Sequence, residues 1–275
     1  MSAADSSSRE IPGSQIPGSQ IPGPQIPGPL RRIWIQASYD TRLTMANGEQ
    51  ILLTLIIPIA VLLGLLWATG LDVLPNGADP TTPRIDLVLP GAISVAVLSS
   101  AFASLAIGTG FDRRSGSLLL LATTPLSRAE LLWARAASTL SIVVGQVIIL
   151  CLVAVAFGWR PGGRDLLAFP LIVLGAVSLA ACGIMIAGLL RAEATLALAN
   201  GVFLILLVAG GTAVPLSSLP AGIDVAAGLL PSGALAESLR WSLIDLPGGS
   251  VLPVIVMVAW ALAAAVITRR TFRWD

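Results

Sequence analysis

The chain has 275 residues, 55% of them hydrophobic and only 11% charged, with a formal net charge of +1. A soluble domain carries about 25% charged residues, so this composition predicts a membrane chain, and its near-neutral charge predicts no nucleic-acid partner. All 16 basic residues are Arg, and Lys and His are absent, which excludes a P-loop lysine, a Schiff base, a Ser-His-Asp triad and a zinc site with His ligands.

The first 29 residues differ from the rest. Ile-Pro-Gly-Ser-Gln occurs at 11–15 and 16–20, followed by Ile-Pro-Gly-Pro-Gln at 21–25 and Ile-Pro-Gly-Pro at 26–29. Pro at every fifth residue opposes helix and ladder pairing, so 1–29 reads as a disordered, partly polyproline-like tail. It lacks the charged and apolar regions of a signal peptide. A passive tail is the reading, with a docking segment as the alternative. Residues 30–275 form the second region, an all-α integral membrane domain.

Leu30 to Thr44 mixes Arg31, Arg32, Trp34, Tyr39 and Arg42 with Ile and Leu. Leu30, Ile33, Trp34 and Ala37 share one helical face, the pattern of a helix lying in the membrane interface. The alternative is the solvated front of the first span. Six charge-free windows follow, at 50–71, 87–111, 136–159, 166–190, 194–223 and 246–268. Each is about 22 residues or longer, where a bilayer core takes roughly 20 helical residues. Spans are predicted near 50–70, 88–110, 138–158, 167–190, 194–214 and 249–268. Trp67 and Trp159 fit an aromatic belt at the outer ends. Pro215, Pro220, Gly222 and Pro231 break the chain after the fifth span, so 215–245 reads as short external helices, some dipping back into the membrane.

The connector between the second and third spans is the densest in signals. Arg113, Arg114, Arg128 and Arg135 cluster there, and Gly116 supplies a turn that a side chain would block. Pro125 stops any helix arriving from upstream. Ser127 and Glu130 stand at the spacing of a capping box. These signals predict a short helix, roughly Arg128 to Ser138, on the cytoplasmic face. Arg191 and Glu193, between the fourth and fifth spans, offer a second cytoplasmic contact. With both termini inside, twelve arginines (9, 31, 32, 42, 113, 114, 128, 135, 191, 269, 270, 273) lie on the cytoplasmic side and four (84, 160, 164, 240) outside. That bias obeys the positive-inside rule.

No ionisable residue falls in the middle of a span. This weakens a proton- or ion-coupled mechanism and points to energy delivered from outside the spans. Ser94, Ser99, Ser100, Ser104 and Thr109 give span 2 a polar flank, and Asn200 is the one carboxamide in span 5. Ser94, Ser99 and Asn200 are candidates for a substrate path, against the plainer reading that they bond within their own helices. Cys151 and Cys182 read as packing residues. Gly183-x-x-x-Ala187 has a close-packing spacing.

Asp112, Gly116, Ser117, Leu118, Leu121, Thr124, Pro125, Leu126 and Ser127 resemble the acidic-x-x-x-Gly-[Ser/Thr]-Leu…Pro-Leu-Ser signature of ABC-2 type permeases, a family that includes the daunorubicin-resistance permeases. The family more often has Glu where Asp112 stands. A second stretch, from Pro215 through Pro231 to Arg240, is also similar to the family, and the resemblance runs from about Leu30 to the end. It implies a six-span, non-enzymatic subunit without a cofactor, in a plasma membrane, that dimerises and pairs with a separate ATPase subunit. The partner permease would be a second copy or a relative. On this reading Asp112, Arg113, Arg114, Gly116, Thr124, Pro125, Ser127, Arg128 and Glu130 form an ATPase-coupling loop. The cargo expected is a drug-like or lipidic molecule, as in multidrug efflux and antibiotic resistance. Haem or polysaccharide cargo, and a non-transporting scaffold or sensor, are the alternatives. The Ala, Gly and Arg usage suggests a bacterium.

Overall fold

The structure, a computed structural model, describes residues 27–68, 70–116, 126–244, 246 and 250–271. The repeat tail up to residue 26 therefore lies outside the described residues. Those described form nine α-helices and no strand: α1 Pro29–Ala46, α2 Gly48–Trp67, α3 Arg84–Arg114, α4 Arg128–Ala156, α5 Ala168–Leu189, α6 Ala192–Ala209, α7 Ile223–Gly228, α8 Pro231–Leu243 and α9 Leu252–Thr271. Four are long and apolar enough to cross a membrane: α3, α4, α9, and α5 with the short 3-10 turn Gly163–Leu167 before it. Two shorter apolar helices, Thr54–Trp67 and Glu193–Ala209, overlap the first and fifth predicted spans.

α3 is the central post. Val88, Leu89, Ile93, Val97, Leu98 and Phe102 are fully buried along its length. By contrast α4 and α9 turn Ile148, Leu152, Ile255, Leu262 and Val266 outward. Such apolar exposure is stable only where lipid replaces water. Close helix approach comes from small residues, as expected where lipid competes for apolar contact. Gly183 of α5 sits against α3, where a Cβ would lie 2.8 Å from the Phe102 carbonyl oxygen. Gly91 of α3 sits against the turn after α6, where a Cβ would lie 2.1 Å from the Thr212 carbonyl oxygen.

Several expectations are corrected. The capped start at Ser127 does not open a separate short helix ending near Ser138; it opens α4, which runs unbroken for 29 residues to Ala156. Leu131, Leu132, Ala134, Ala136 and Ala137 are good helix formers, and neither Gly nor Pro intervenes before Gly145. At 1.5 Å per residue α4 is about 44 Å long, beyond a hydrocarbon core of about 30 Å, so its capped end can project past it. α6 stops at Ala209 rather than 214, because Gly210 and Gly211 follow and Gly211 takes φ +62°. Trp159 is buried in the core rather than placed in a belt, whereas Trp67 is exposed. The 215–245 stretch does hold short helices, and the longest of them, α8, is almost wholly buried, packed against α3, α5 and α9.

A π-helical segment, Leu98–Ser104, interrupts α3. Its wider turn carries Ser99, Ser100 and Ser104 around the helix, and such segments recur at functional sites. Both Cys151 and the buried Cys182 are free thiols.

Candidate functional site

Successive helical residues point about 100° apart, and three residues at the end of α3 show the consequence. Asp112 pairs with Arg135 of α4. Arg113 donates to the carbonyl oxygens of Ala187 (2.7 Å) and Leu190 (3.1 Å), at the end of α5. Arg114 pairs with Glu193 of α6 at 3.3 Å. One turn of α3 thus touches three other helices. Asp112 thus reaches across to α4 from a turn whose neighbouring arginines reach α5 and α6. Arg135 reaches Thr109 as well, at 3.2 Å. The two predicted cytoplasmic contacts are one surface, joined through Arg114 and Glu193. Arg191 is exposed and stands at the N-cap of α6 without a side-chain cap bond. Gly116 follows α3 with φ +72° and open space around its Cα, so conformation, not room, calls for glycine there.

The capping box is present. The Ser127 hydroxyl accepts from the Glu130 N–H at 3.2 Å, and the Ser127 N–H donates to Glu130 Oε2 at 2.7 Å. The second carboxylate oxygen of Glu130 takes Arg32 of α1 at 2.7 Å. Thr41 of α1 donates to Ser138 of α4 at 3.0 Å, so α1 is strapped along α4 at two heights. Leu30 and Trp34 of the face expected for an interfacial helix are exposed, but Ala37 of that face is buried, and the exposed Tyr39 and Leu43 lie on the other side of α1. Thr124 and Pro125 lie outside the described residues. Arg128 is the first residue of α4.

A cavity of about 340 Å³ opens between α1, α3 and α4. Asp40, Asp112 and Arg135 stand at it together with Ser100, Ser104, Ser138 and Thr139. Burial raises the Asp40 carboxyl above the ordinary aspartate value, against the pull of Arg135 and a hydrogen bond from Gln36. A second cavity, about 530 Å³, adjoins it and shares Thr54, Ser104 and Phe111. Ser99 and Asn200 both line this second space with Phe111 and Phe203, and among the described residues no ionisable side chain lines it. Ser94 is not there. It is 1% exposed and its hydroxyl donates to the Pro90 carbonyl of its own helix at 2.8 Å. Ser99 also donates within its helix, to Ala96 at 3.0 Å. No cluster of three or more Cys, Asp or Glu suited to a metal ion occurs among the described residues.

The sequence reading missed several polar links. Gln146 of α4 accepts from Ser100 at 2.8 Å and donates to the Thr54 carbonyl of α2 at 2.8 Å, tying three helices together inside the apolar zone. A lone carboxamide within a charge-free window was the available signal. Arg240 and Glu237 form a pair at 2.8 Å at the opposite end, with Arg240 1% exposed.

A model of the ABC-2 type transporter family matches residues 31–244 of the chain. The chain belongs to that family. The match begins in α1 and ends just after α8, so it takes in both cavities and every described residue of the predicted coupling loop. It is to the family as a whole and does not single out the daunorubicin-resistance permeases. No curated protein matches the chain. The protein is therefore a multi-pass membrane permease of ABC-2 type. Members of this family are the membrane components of transporters, normally lack an ATPase of their own and typically work with an ABC ATPase.

Proposed function

We propose that this permease is the membrane subunit of an ATP-driven exporter whose ATP hydrolysis resides on a separate ABC ATPase. The observation that carries this reading is the strapping of the capped end of α4. Glu130 ties it to α1 through Arg32, and Arg135 ties it to α3 through Asp112. A push on that end is passed at once to the helices that wall both cavities. The arginine-rich end faces the cytoplasm, where the positive-inside bias retains it. Both termini lie on that side of the plasma membrane.

The cargo is a hydrophobic drug-like or lipidic molecule. The described lining of the Ser99–Asn200 cavity, with two Phe side chains and a few hydroxyl and amide groups, suits an apolar body with some hydrogen-bonding capacity. Asn200 is exposed, so the cavity lacks a wall in the single chain. A second copy or a related permease supplies it.

The test is reconstitution with the ATPase that co-purifies. Glu130→Ala removes half of the capping box and the partner of Arg32. Insertion should persist while cargo-stimulated ATPase activity drops. Full activity of this variant in vesicles, or cargo movement by the permease with no ATPase present, would contradict the reading.

A further inference from the structure

The two ends of α6 are held very differently. At its start, Arg191 offers no side-chain cap, and the Arg114–Glu193 pair is exposed on both sides. At its finish two carbonyls of the last turn, a place where helix carbonyls run short of partners, are engaged by side chains. Leu206 O accepts from Ser232 Oγ at 2.9 Å and Leu207 O from Thr212 Oγ1 at 2.7 Å. Just beyond, Arg240 of α8 donates from Nη2 to the carbonyl oxygens of Gly211 and Thr212, and from Nη1 to Glu237 Oε1 at 2.8 Å. The same Glu237 oxygen accepts the Leu216 N–H at 3.2 Å. Gly91 presses on the Thr212 carbonyl from the α3 side. Gly210, Gly211 and Thr212 are buried.

We infer that Arg240 is a positioning residue, the fixed pivot on which α6 swings to change the width of the Ser99–Asn200 cavity. Only a guanidinium serves here. Its planar fork reaches two carbonyls and a carboxylate at once, and its positive charge faces the negative end of the α6 dipole. An ammonium has no such fork. With the far end pinned by buried polar bonds and the near-end ion pair solvated, where Thr195 and Ala199 hold by packing, rotation of α6 moves Asn200 relative to Ser99 while leaving the 210–216 turn in place. The consequence for cargo rests on the cavity being the transport path; the pivot itself does not.

The test uses the full-length permease alone in lipid nanodiscs, with Cys151 and Cys182 replaced by Ala. Spin-label pairs report the far end of α6 (Val208→Cys with Leu166→Cys), its near half (Leu198→Cys with Trp133→Cys) and a control between α4 and α5 (Leu152→Cys with Phe169→Cys). All six sites are exposed. The native Arg240 background should give a narrow far-end distance distribution and a broader near-end one. Arg240→Met should broaden the far-end distribution roughly twofold and leave the control unchanged, as release of one local unit predicts. Arg240→Lys should fall between the two. Glu237→Gln should broaden it too, and it covers the case in which Arg240→Met does not fold. An unchanged far-end distribution in the folded variants, or equal widths at both ends in the native background, overturns the pivot. Parallel broadening of the control pair also overturns it, because Arg240 would then serve only general stability. None of these readings needs an ATPase, so failure of the exporter assignment would leave them standing.

Discussion

At the far end of the bundle, Arg240 is 1% exposed and bound to two carbonyls and a carboxylate. At the arginine-rich end, Arg114 and Glu193 are 62% and 68% exposed and touch at 3.3 Å. Both are Arg–Glu pairs, one within α8 and one between α3 and α6, yet they differ in what their removal does. A solvated pair gains little over its hydration, whereas a buried cation deprived of its acceptors has no water to fall back on. The contrast teaches where this fold is rigid and where it is left free to respond. Asp112–Arg135 and Arg32–Glu130 lie between these extremes, half-buried and joined to hydroxyls.

The largest effect should come from breaking the far end. Arg240→Met strands Glu237 and the Gly211 and Thr212 carbonyls, and should lower unfolding free energy by about 3 kcal/mol. Thermal melting in detergent would read it, and a loss as small as that of a surface pair would erase the contrast. Gly91→Ala comes next. Its Cβ would meet the Thr212 backbone oxygen at 2.1 Å, which forces α3 and the 210–216 turn apart at a cost of about 1–3 kcal/mol. The same melting series measures it, and an Ala variant as stable as the native chain would show that the turn is not tightly held.

At the other end the effects should be smaller and conditional. The Asp40 carboxyl is raised by burial, with Arg135 opposing and Asp112 reinforcing the shift. Its neutral form is favoured in the fold, so its stabilising share is complete below the ordinary aspartate value and declines as pH climbs through the raised one. Asp40→Asn should therefore flatten the pH dependence of melting just above the usual carboxylate range. An identical slope in the variant would remove Asp40 from the balance. Last, Arg114→Ala should change stability by no more than about 0.5 kcal/mol, because both partners are solvated. A loss several times larger would make the arginine-rich end as rigid as the far one.

How much of this was readable beforehand depends on the reach of each interaction. The capping box spans three residues, so Ser127 and Glu130 announced it without help from the fold. Gly116 announced a turn for the same reason, and its positive φ is a property of the local backbone. Ser99 and Asn200 were singled out as polar groups on separate helices, but only packing places them at one cavity and keeps Ser94 away from it. Asp112, Arg113 and Arg114 were all assigned to the coupling loop. The helix that carries them sends each to a different neighbour, which no loop-level pattern records. Arg84 and Arg240 were read as exceptions to the positive-inside count. Each also binds carbonyls at or just beyond the end of a helix: Arg84 donates to the Leu65 carbonyl at 2.9 Å and to that of Ala68, at the end of α2. Arg164, another exception, lies 4.6 Å from the centre of the Trp241 ring.

Composition and periodicity determined the membrane class, the helices and the capped start of α4, because each follows from residues near one another along the chain or from their average solubility. The tertiary structure alone decided that α8 is buried, and that Arg240 secures the turn after α6 by reaching Thr212, 28 residues before it. Those outcomes depend on which helices touch. In a chain whose apolar faces all satisfy the lipid equally well, hydropathy does not specify that choice, and the small residues and fork-shaped cations at the contacts do.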